Sequence, residues 1–488
     1  MSLQSPSLIR SLLYAGFLSL VAIMSTEGAE RPARHPNIVF LFGDQLRDSA
    51  TGYGGDSNAH TPNLDSLARE SVSFRNAVSV CPVCTPFRAA LMTGRFPTTT
   101  GMFLNDLYLP DRELCIAEVL KQSGYDTGYI GKWHLDGHGR SSYIPPERRQ
   151  GFDYWKAAEC DHDYNHSHYY TDDASEKQFW DGYDAFAETR DAQAYIRGHA
   201  KVDKPFVLFV AYGIPHFPFQ TAPERFKAMY PPDKIRFRPN VPVEMQTEQV
   251  RLEAQGYYAH ISALDECIGA LAHTLAETGI KEDTILVFTA DHGEMLGSHG
   301  ILPTTKQALW DESAHTPFLL RYPRAQGDHG RVVTTPLTTP DIMPTLLKLA
   351  EVKCPRTVEG RDLSEVVRRG HEIPSHVALY MAVSPFAGKQ FDKEYRAIRT
   401  ARYTYVRDLH GPWLLFDDEN DLFQMHNLIG QSQNAALGRK MERRLQAALE
   451  AIHDDFHPRA FYLEKFGYEL APHGSVSYAP GASVQSPK

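Results

Sequence analysis

Residues 37–45 read Asn37-Ile38-Val39-Phe40-Leu41-Phe42-Gly43-Asp44-Gln45: an unbroken apolar run, then a glycine, an acid and an amide. A run this short, with no polar alternation, describes a strand buried on both faces, as in a parallel sheet. Similar runs follow at Thr127–Ile130, Phe206–Tyr212, Thr284–Thr289 and Pro317–Arg321. Helical spacing fills the gaps, at Leu114–Gln122 and in the long Tyr257–Glu277, where Ile261, Leu264, Ile268 and Leu271 share one face. Asp341–Leu349 reads as the last helix of this unit. The alternation predicts an α/β fold: a large mixed, mostly parallel sheet sandwiched by helices.

Past Gly370 the texture changes. Val377–Val383, Tyr395–Ile398, Tyr403–Arg407 and Trp413–Phe416 read as short strands, and Ala435–His453 as a charged helix. This predicts a smaller C-terminal antiparallel sheet plus a helix. The expected divisions are residues 1–29 as a signal peptide, 34–370 as a catalytic domain, 371–473 as a C-terminal subdomain and 474–488 as a mobile Ser-, Pro- and Gly-rich tail. Arg10, the apolar stretch Leu12–Met24 and the small residues up to Ala29 carry the signal-peptide reading, and with it secretion or export to a periplasm. The apolar stretch is too short for a stable membrane span.

The chain has 488 residues, 42% apolar and 23% charged, which are ordinary globular values. Its net charge of −10 is spread along the chain, and no basic stripe tracks a phosphate backbone, which argues against nucleic-acid binding. Six cysteines are too few for a disulfide framework, with room for one or two bridges. Cys81 and Cys84 form a C-x-x-C, a redox pair or half a zinc site by spacing, with no second C-x-x-C to complete the latter.

Open parallel sheets bind ligands beyond the carboxyl ends of their strands. There the chain delivers Gly43-Asp44-Gln45, Gly131-Lys132-Trp133-His134, Gly213-Ile214-Pro215-His216 and Ala290-Asp291-His292-Gly293. Acids, amides, imidazoles and an ammonium on one rim describe a site for a cation and an anion side by side. Asp44, Gln45 and Asp291 offer hard oxygen ligands and His292 a nitrogen, a set that suits Ca²⁺ or Mg²⁺. Cys84-Thr85-Pro86 precedes a helix expected over Phe87–Met92, with Thr85 as its N-cap and Pro86 in its first position. Cys84 then sits at the positive end of a helix. Arg88 in the first turn opposes the dipole, which calls for an anionic neighbour.

These residues resemble the type I, formylglycine-dependent sulfatases of the alkaline phosphatase superfamily. Cys84-Thr85-Pro86-Phe87-Arg88 followed by Thr93-Gly94-Arg95 matches the family's C-x-P-x-R and T-G-R, in order with the rim segments, and the likeness covers about Pro36 to Asp362. The resemblance implies that a formylglycine-generating enzyme oxidises Cys84 to formylglycine. One oxygen of its hydrate attacks sulfur, and the other loses a proton as inorganic sulfate leaves, so no water attacks sulfur. It implies Asp44, Gln45, Asp291 and His292 as ligands, beside residue 84, of one Ca²⁺, with Mg²⁺ or Mn²⁺ as alternatives. Arg88 stabilises charge, Lys132 and His216 contact sulfate, and His134 assists the collapse. Lys306 is the candidate second sulfate-binding lysine, and either His216 or His134 protonates the leaving alcohol. The chain departs from the family at Gln45, where a second acid is usual, at His292, where asparagine is more frequent, and at Phe87, where serine is frequent. The gap from His299-Gly300 to Lys306 is also long for the family.

Export and the Cys160–Tyr170 segment, rich in Asp, Asn, His and Tyr, favour a sulfated glycan over a small sulfate ester as the partner. That segment also reads as a second metal site or a solvated loop, and Trp413–Phe416 as a pocket cover or sheet core. Two other functions compete. The Gln45 and His292 pair, which resembles the choline-sulfatase and phosphonate-monoesterase branches, leaves a phosphonate monoester or phosphodiester hydrolase open. A non-catalytic exported glycan-binding protein would require loss of Cys84, Arg88 or the metal acids, and none is lost.

Overall fold

The computed structural model describes residues 35–172, 176–387 and 391–476. The expected signal peptide and residues 477–488 of the expected tail lie outside the described residues. Within the tail's first residues, Ser475 is buried and donates to the Asn105 carbonyl at 2.8 Å.

Eight strands form the main sheet, in the spatial order Arg331–Val333, Val72–Phe74, Phe318–Arg321, Thr284–Ala290, Asn37–Asp44, Phe206–Pro215, Asp126–Lys132 and Tyr154–Ala158. Asn37–Asp44 pairs in parallel with both neighbours, while Phe318–Arg321 runs antiparallel to both of its own. The sheet is therefore mixed and mostly parallel. Side chains alternate between two cores. Ile38, Phe40 and Phe42 pack on one side with Leu91 of the helix Cys84–Thr93 and Leu346 of the helix Ile342–Leu349. Val39 and Leu41 pack on the other with Ile261, Leu264 and Ile268 of the helix Glu248–Glu277. Both faces being covered is why the strands carry no polar alternation.

The second sheet is antiparallel, in the order Ala378–Ala382, Tyr395–Arg399, Tyr403–Asp408 and Gly411–Asp417, and the helix Ala435–Ala451 packs on it. Leu379, Ile398, Tyr405 and Leu415 join the same core as Phe40. In the segment Trp413–Phe416, Leu415 and Phe416 are buried, so it is sheet core. Among the described residues no helix is long and apolar enough to cross a membrane. All six cysteines are free, so the C-x-x-C is not a disulfide.

Several boundaries differ from those expected. The long helix starts at Glu248 because the Thr247 hydroxyl caps it, accepting from the Val250 N–H at 3.3 Å. The helix carrying Cys84 begins at Cys84 itself, with Val83 as N-cap. Thr85 is thus inside the helix, where its hydroxyl donates to the His134 carbonyl at 3.0 Å. Pro86 still fits, because the first four N–H groups of a helix have no intrahelical partner.

Register brings the polar ends of the strands together. Gly43 pairs with Ala290, Asp44 with Pro215 and Gly131 with Ala211. Gly131 has φ +99°, and a Cβ there would lie 2.2 Å from the Ala211 carbonyl oxygen, so only glycine lets Lys132 follow at this level.

Behind the rim, the helix Asp184–His199 buries Asp184 and Glu188. Burial pushes the Asp184 carboxyl up to about 7, and burial and Asp184 push Glu188 well above the carboxylate range. The folded state holds protons that the unfolded chain releases. Their contribution to stability is complete below the ordinary carboxylate pKa of about 4 and is lost as pH rises through about 7. Melting temperatures should therefore show Asp184→Asn gaining on the wild type between about pH 5 and 8. A difference that stays constant across that range would contradict this.

Candidate active site

Cys84 starts a buried helix at the carboxyl ends of the central strands. Around its Sγ lie Lys306 Nζ at 3.3 Å, His292 Nε2 at 3.4 Å, Asp44 Oδ1 at 3.7 Å and Lys132 Nζ at 3.8 Å. Arg88, one helical turn on, is fully buried and spans two carboxylates: its NH2 is 3.2 Å from both Asp44 Oδ2 and Asp291 Oδ2. Its NH1 donates to the Lys132 carbonyl at 2.5 Å. These carboxylates are the anionic neighbours that a cation near the start of a helix calls for. Lys132 Nζ meets Asp44 Oδ2 at 2.6 Å.

The charges set one another's protonation. Burial would raise Asp44, but Lys132, His216, Lys306 and Arg88 hold it well below the carboxylate range. Burial and Asp44 push the Cys84 thiol up, while Lys132, Lys306 and His292 outweigh them and bring it well below the ordinary thiol value. Burial and Asp44 raise Asp291 to about 6.

On one side of Cys84, Lys306 Nζ donates to His216 Nε2 at 2.8 Å, and His216 Nδ1 donates to the Phe217 carbonyl at 2.6 Å. Burial and the Lys306 charge hold His216 well below the usual imidazole range, so it is neutral and an acceptor at Nε2. On the other side, His134 Nε2 meets Asp106 Oδ1 at 2.7 Å. Burial would lower His134, but Cys160, Asp106 and Cys84 raise it to about 9.

The residues fit a hard cation. Asp44, Cys84, Asp291 and His292 each offer one ligand atom, all within 4.8 Å of one another. His292 Nδ1 donates to the Gly293 carbonyl at 3.0 Å, which leaves the Nε2 lone pair toward Cys84 Sγ at 3.4 Å, Asp44 Oδ1 at 3.4 Å and Asp291 Oδ1 at 3.5 Å. Gln45 donates its side-chain amide N–H to Glu294, whose other oxygen accepts from the Leu296 and Thr304 N–H groups at 2.9 Å each. The Gln45 Oε1 is left buried and without a partner. A buried amide oxygen without a partner, beside two buried carboxylates, is costly unless a cation joins them.

The Cys160–Tyr170 segment closes one flank. The His162 ring stacks on His216 with centroids 4.4 Å apart, and Tyr164 donates to the Gly213 carbonyl at 3.1 Å. It is thus packed against the site and not a wholly solvated loop. Among the described residues the second-metal reading of this segment finds no ligand group.

All ten residues singled out from the sequence therefore meet on this rim: Asp44, Gln45, Cys84, Arg88, Lys132, His134, His216, Asp291, His292 and Lys306. Sequence reasoning missed Asp106, Glu294 and the packing of His162 on His216. Asp106 does not lie at the end of any long apolar run, and Glu294 falls one residue beyond the Ala290–Gly293 segment that follows its strand.

The model of the sulfatase family matches residues 36–352. The chain belongs to the sulfatase family. It is accordingly a sulfuric ester hydrolase of the alkaline phosphatase superfamily. A second model, described as the C-terminal part of N-sulphoglucosamine sulphohydrolase, matches residues 297–451. The sulfatase is 48% identical to an ulvan-active sulfatase of Formosa agariphila over 91% of this chain and 87% of that one. It is 28% identical to an endo-4-O-sulfatase of Bacteroides thetaiotaomicron over 92% and 99%. The crystal structure of yidJ from Bacteroides fragilis superposes with TM-score 0.78 at 31% identity, over 89% of this chain and 99% of that one. A phosphonate monoester hydrolase of Silicibacter pomeroyi shares the fold, with TM-score 0.69 at 22% identity, over 91% and 99%.

Removing Arg88 from between Asp44 and Asp291 leaves buried carboxylates uncompensated. Arg88→Met should therefore cost about 3–5 kcal/mol of stability in chelator-treated protein, read as a lowered melting temperature. An unchanged melting temperature would show that the pair needs no guanidinium.

Proposed function

We propose that this sulfatase hydrolyses sulfate esters of an exported or extracellular sulfated glycan, with Cys84 matured to formylglycine beside one Ca²⁺-like cation. The observation that carries this reading is the surroundings of position 84. Lys132 and Lys306 ammonium groups and the Arg88 guanidinium converge on it, and the group of potential cation ligands Asp44, Asp291 and His292, with the unpartnered Gln45 Oε1, adjoins it. Three buried cations against the two carboxylates Asp44 and Asp291 leave a positive excess, which an anionic sulfate ester offsets.

The residues divide the work by position. Asp44, Gln45, Asp291 and His292, with side chain 84 beside them, hold the cation, which supplies charge stabilisation to the sulfuryl oxygens. The formylglycine hydrate supplies the nucleophilic oxygen. Arg88, Lys132 and Lys306 hold the sulfuryl group. Lys306 also donates to His216, so these two side chains share one dissociable proton at the leaving alcohol. His134 has a buried Nδ1 with no partner, placed to take a proton from the nucleophile once formylglycine replaces the Cys84 sulfur that helps raise its proton affinity.

Glycan specificity draws support from the names of the relatives that act on ulvan and in an endo-4-O mode. The His162 wall beside His216 offers an aromatic face to a sugar ring. The N-terminal segment supports secretion or a periplasmic location, and formylglycine implies a maturation enzyme as partner. The shared fold of the phosphonate monoester hydrolase, with Gln45 and His292 here, keeps phosphonate or phosphate diesters as the second reading.

Cys84→Ala and Cys84→Ser should keep the melting temperature within a few degrees and lose turnover of ulvan oligosaccharides, assayed by sulfate release. Activity in Cys84→Ala would overturn the nucleophile. Chelation should abolish that rate and Ca²⁺ restore it, with Ca²⁺ also raising the melting temperature. A chelator-insensitive rate would remove the cation.

A further inference from the structure

We propose that Asp106 is a positioning residue: with His134 it forms a carboxylate–imidazole relay that fixes a bare His134 Nδ1 toward side chain 84. The proposal rests on the reading of residue 84 as the nucleophile. Asp106 and His134 are both buried, and Asp106 Oδ1 lies 2.7 Å from His134 Nε2. An ionised carboxylate only accepts, so the Nε2 proton belongs to this bond and Nδ1 is the ring atom left to exchange a proton. That atom is buried and has no hydrogen-bond partner. The other Asp106 oxygen has the Arg140 guanidinium at 3.7 Å, so the carboxylate is flanked on both sides.

The backbone holds the same arrangement. Thr85, next to the nucleophile, donates its hydroxyl to the His134 carbonyl at 3.0 Å and accepts from the Asp106 N–H at 3.3 Å. The Asn105 side-chain oxygen accepts from the Thr85 N–H at 3.0 Å. One threonine thus ties the nucleophile's helix, the imidazole and the carboxylate together. Asp106 and His134 both have positive φ, +67° and +60°. Neither is glycine, so each carries backbone strain that its surroundings must maintain. Two strained residues in hydrogen-bond contact at an active site are a costly arrangement to keep for packing alone.

The relay serves the step that frees sulfate. His134 Nδ1 takes the proton of the free hydroxyl on the carbon of residue 84. The O–H electron pair becomes the second C–O bond of the aldehyde. The bond from that carbon to the sulfated oxygen breaks, and its pair leaves on inorganic sulfate. Water then adds back to the aldehyde for the next turnover. Losing Asp106 leaves Nε2 unanchored and lets the proton move to Nδ1, where the ring can no longer accept.

Asp106→Asn is the test, with Asp106→Ser as the second variant, on matured protein loaded with Ca²⁺. The probe is whichever of 4-nitrophenyl sulfate and ulvan oligosaccharides the wild type turns over. We expect kcat to fall about 10²- to 10⁴-fold with KM unchanged or lower. Only the second half-reaction should be slowed. One equivalent of desulfated product should therefore appear in a burst, and the peptide carrying residue 84 should retain a sulfate adduct. Asp106→Glu should recover part of the rate. A variant that folds, yet has kcat within threefold of wild type or loses rate with neither burst nor adduct, overturns the relay. That outcome leaves the proposed function standing, whereas activity in Cys84→Ala removes both.

Discussion

A buried cluster of opposite charges around Cys84 is the constraint on which the rest of the molecule depends. Arg88 bridges Asp44 and Asp291, and Lys132 closes on Asp44 from the other side. Each of these groups would be expensive to bury alone, by several kcal/mol, so none can be read as an independent feature. The cluster tolerates burial because its members sit on different elements that the sheet holds in fixed register. Asp44 and Asp291 end adjacent parallel strands, and Lys132 ends a third strand in the same sheet. Arg88 arrives from a helix packed on one face of it.

This dependence runs in both directions. The sheet aligns the charges, and the charges account for sequence choices that packing does not explain. Gly131 is required because the strand carrying Lys132 runs so close to the Ala211 carbonyl. Arg88 opposes the helix dipole because two carboxylates wait for it. Gln45 turns its amide N–H to Glu294, which leaves its oxygen for another partner. The neighbouring His134 and His216 are held in complementary states: one is raised toward the protonated form by Cys160, Asp106 and Cys84, and the other is kept neutral by burial and Lys306.

Much of this was legible in the sequence because short apolar runs mark the strands, and the polar residues at their carboxyl ends mark the site. The strand ending at Asp44 and the strand ending at Ala290 are recognisable from composition alone, and their C-terminal residues are the site. Lys306 follows no strand, and only the family resemblance brought it into view. The features that stayed hidden have equally physical reasons. Two helix starts shifted: the Thr247 cap lengthened the long helix, and the other helix begins at Cys84, ahead of Thr85, with Val83 at the N-cap position and no side-chain cap. Asp106 lies in a loop with no periodic pattern, and only the folded chain shows its carboxylate against His134. The Cys160–Tyr170 segment gave away its polar content but not its stacking on His216, because ring packing between residues far apart in the chain has no local signature.

The central claim is that the side chain at position 84 is an aldehyde hydrate and no longer a thiol. It is tested most directly by the intact mass of the peptide carrying residue 84, taken from active protein made in its natural source. The account predicts a peptide lighter by sulfur and two hydrogens and heavier by one oxygen than the gene-encoded form. An unmodified cysteine in protein that hydrolyses sulfate esters would contradict it.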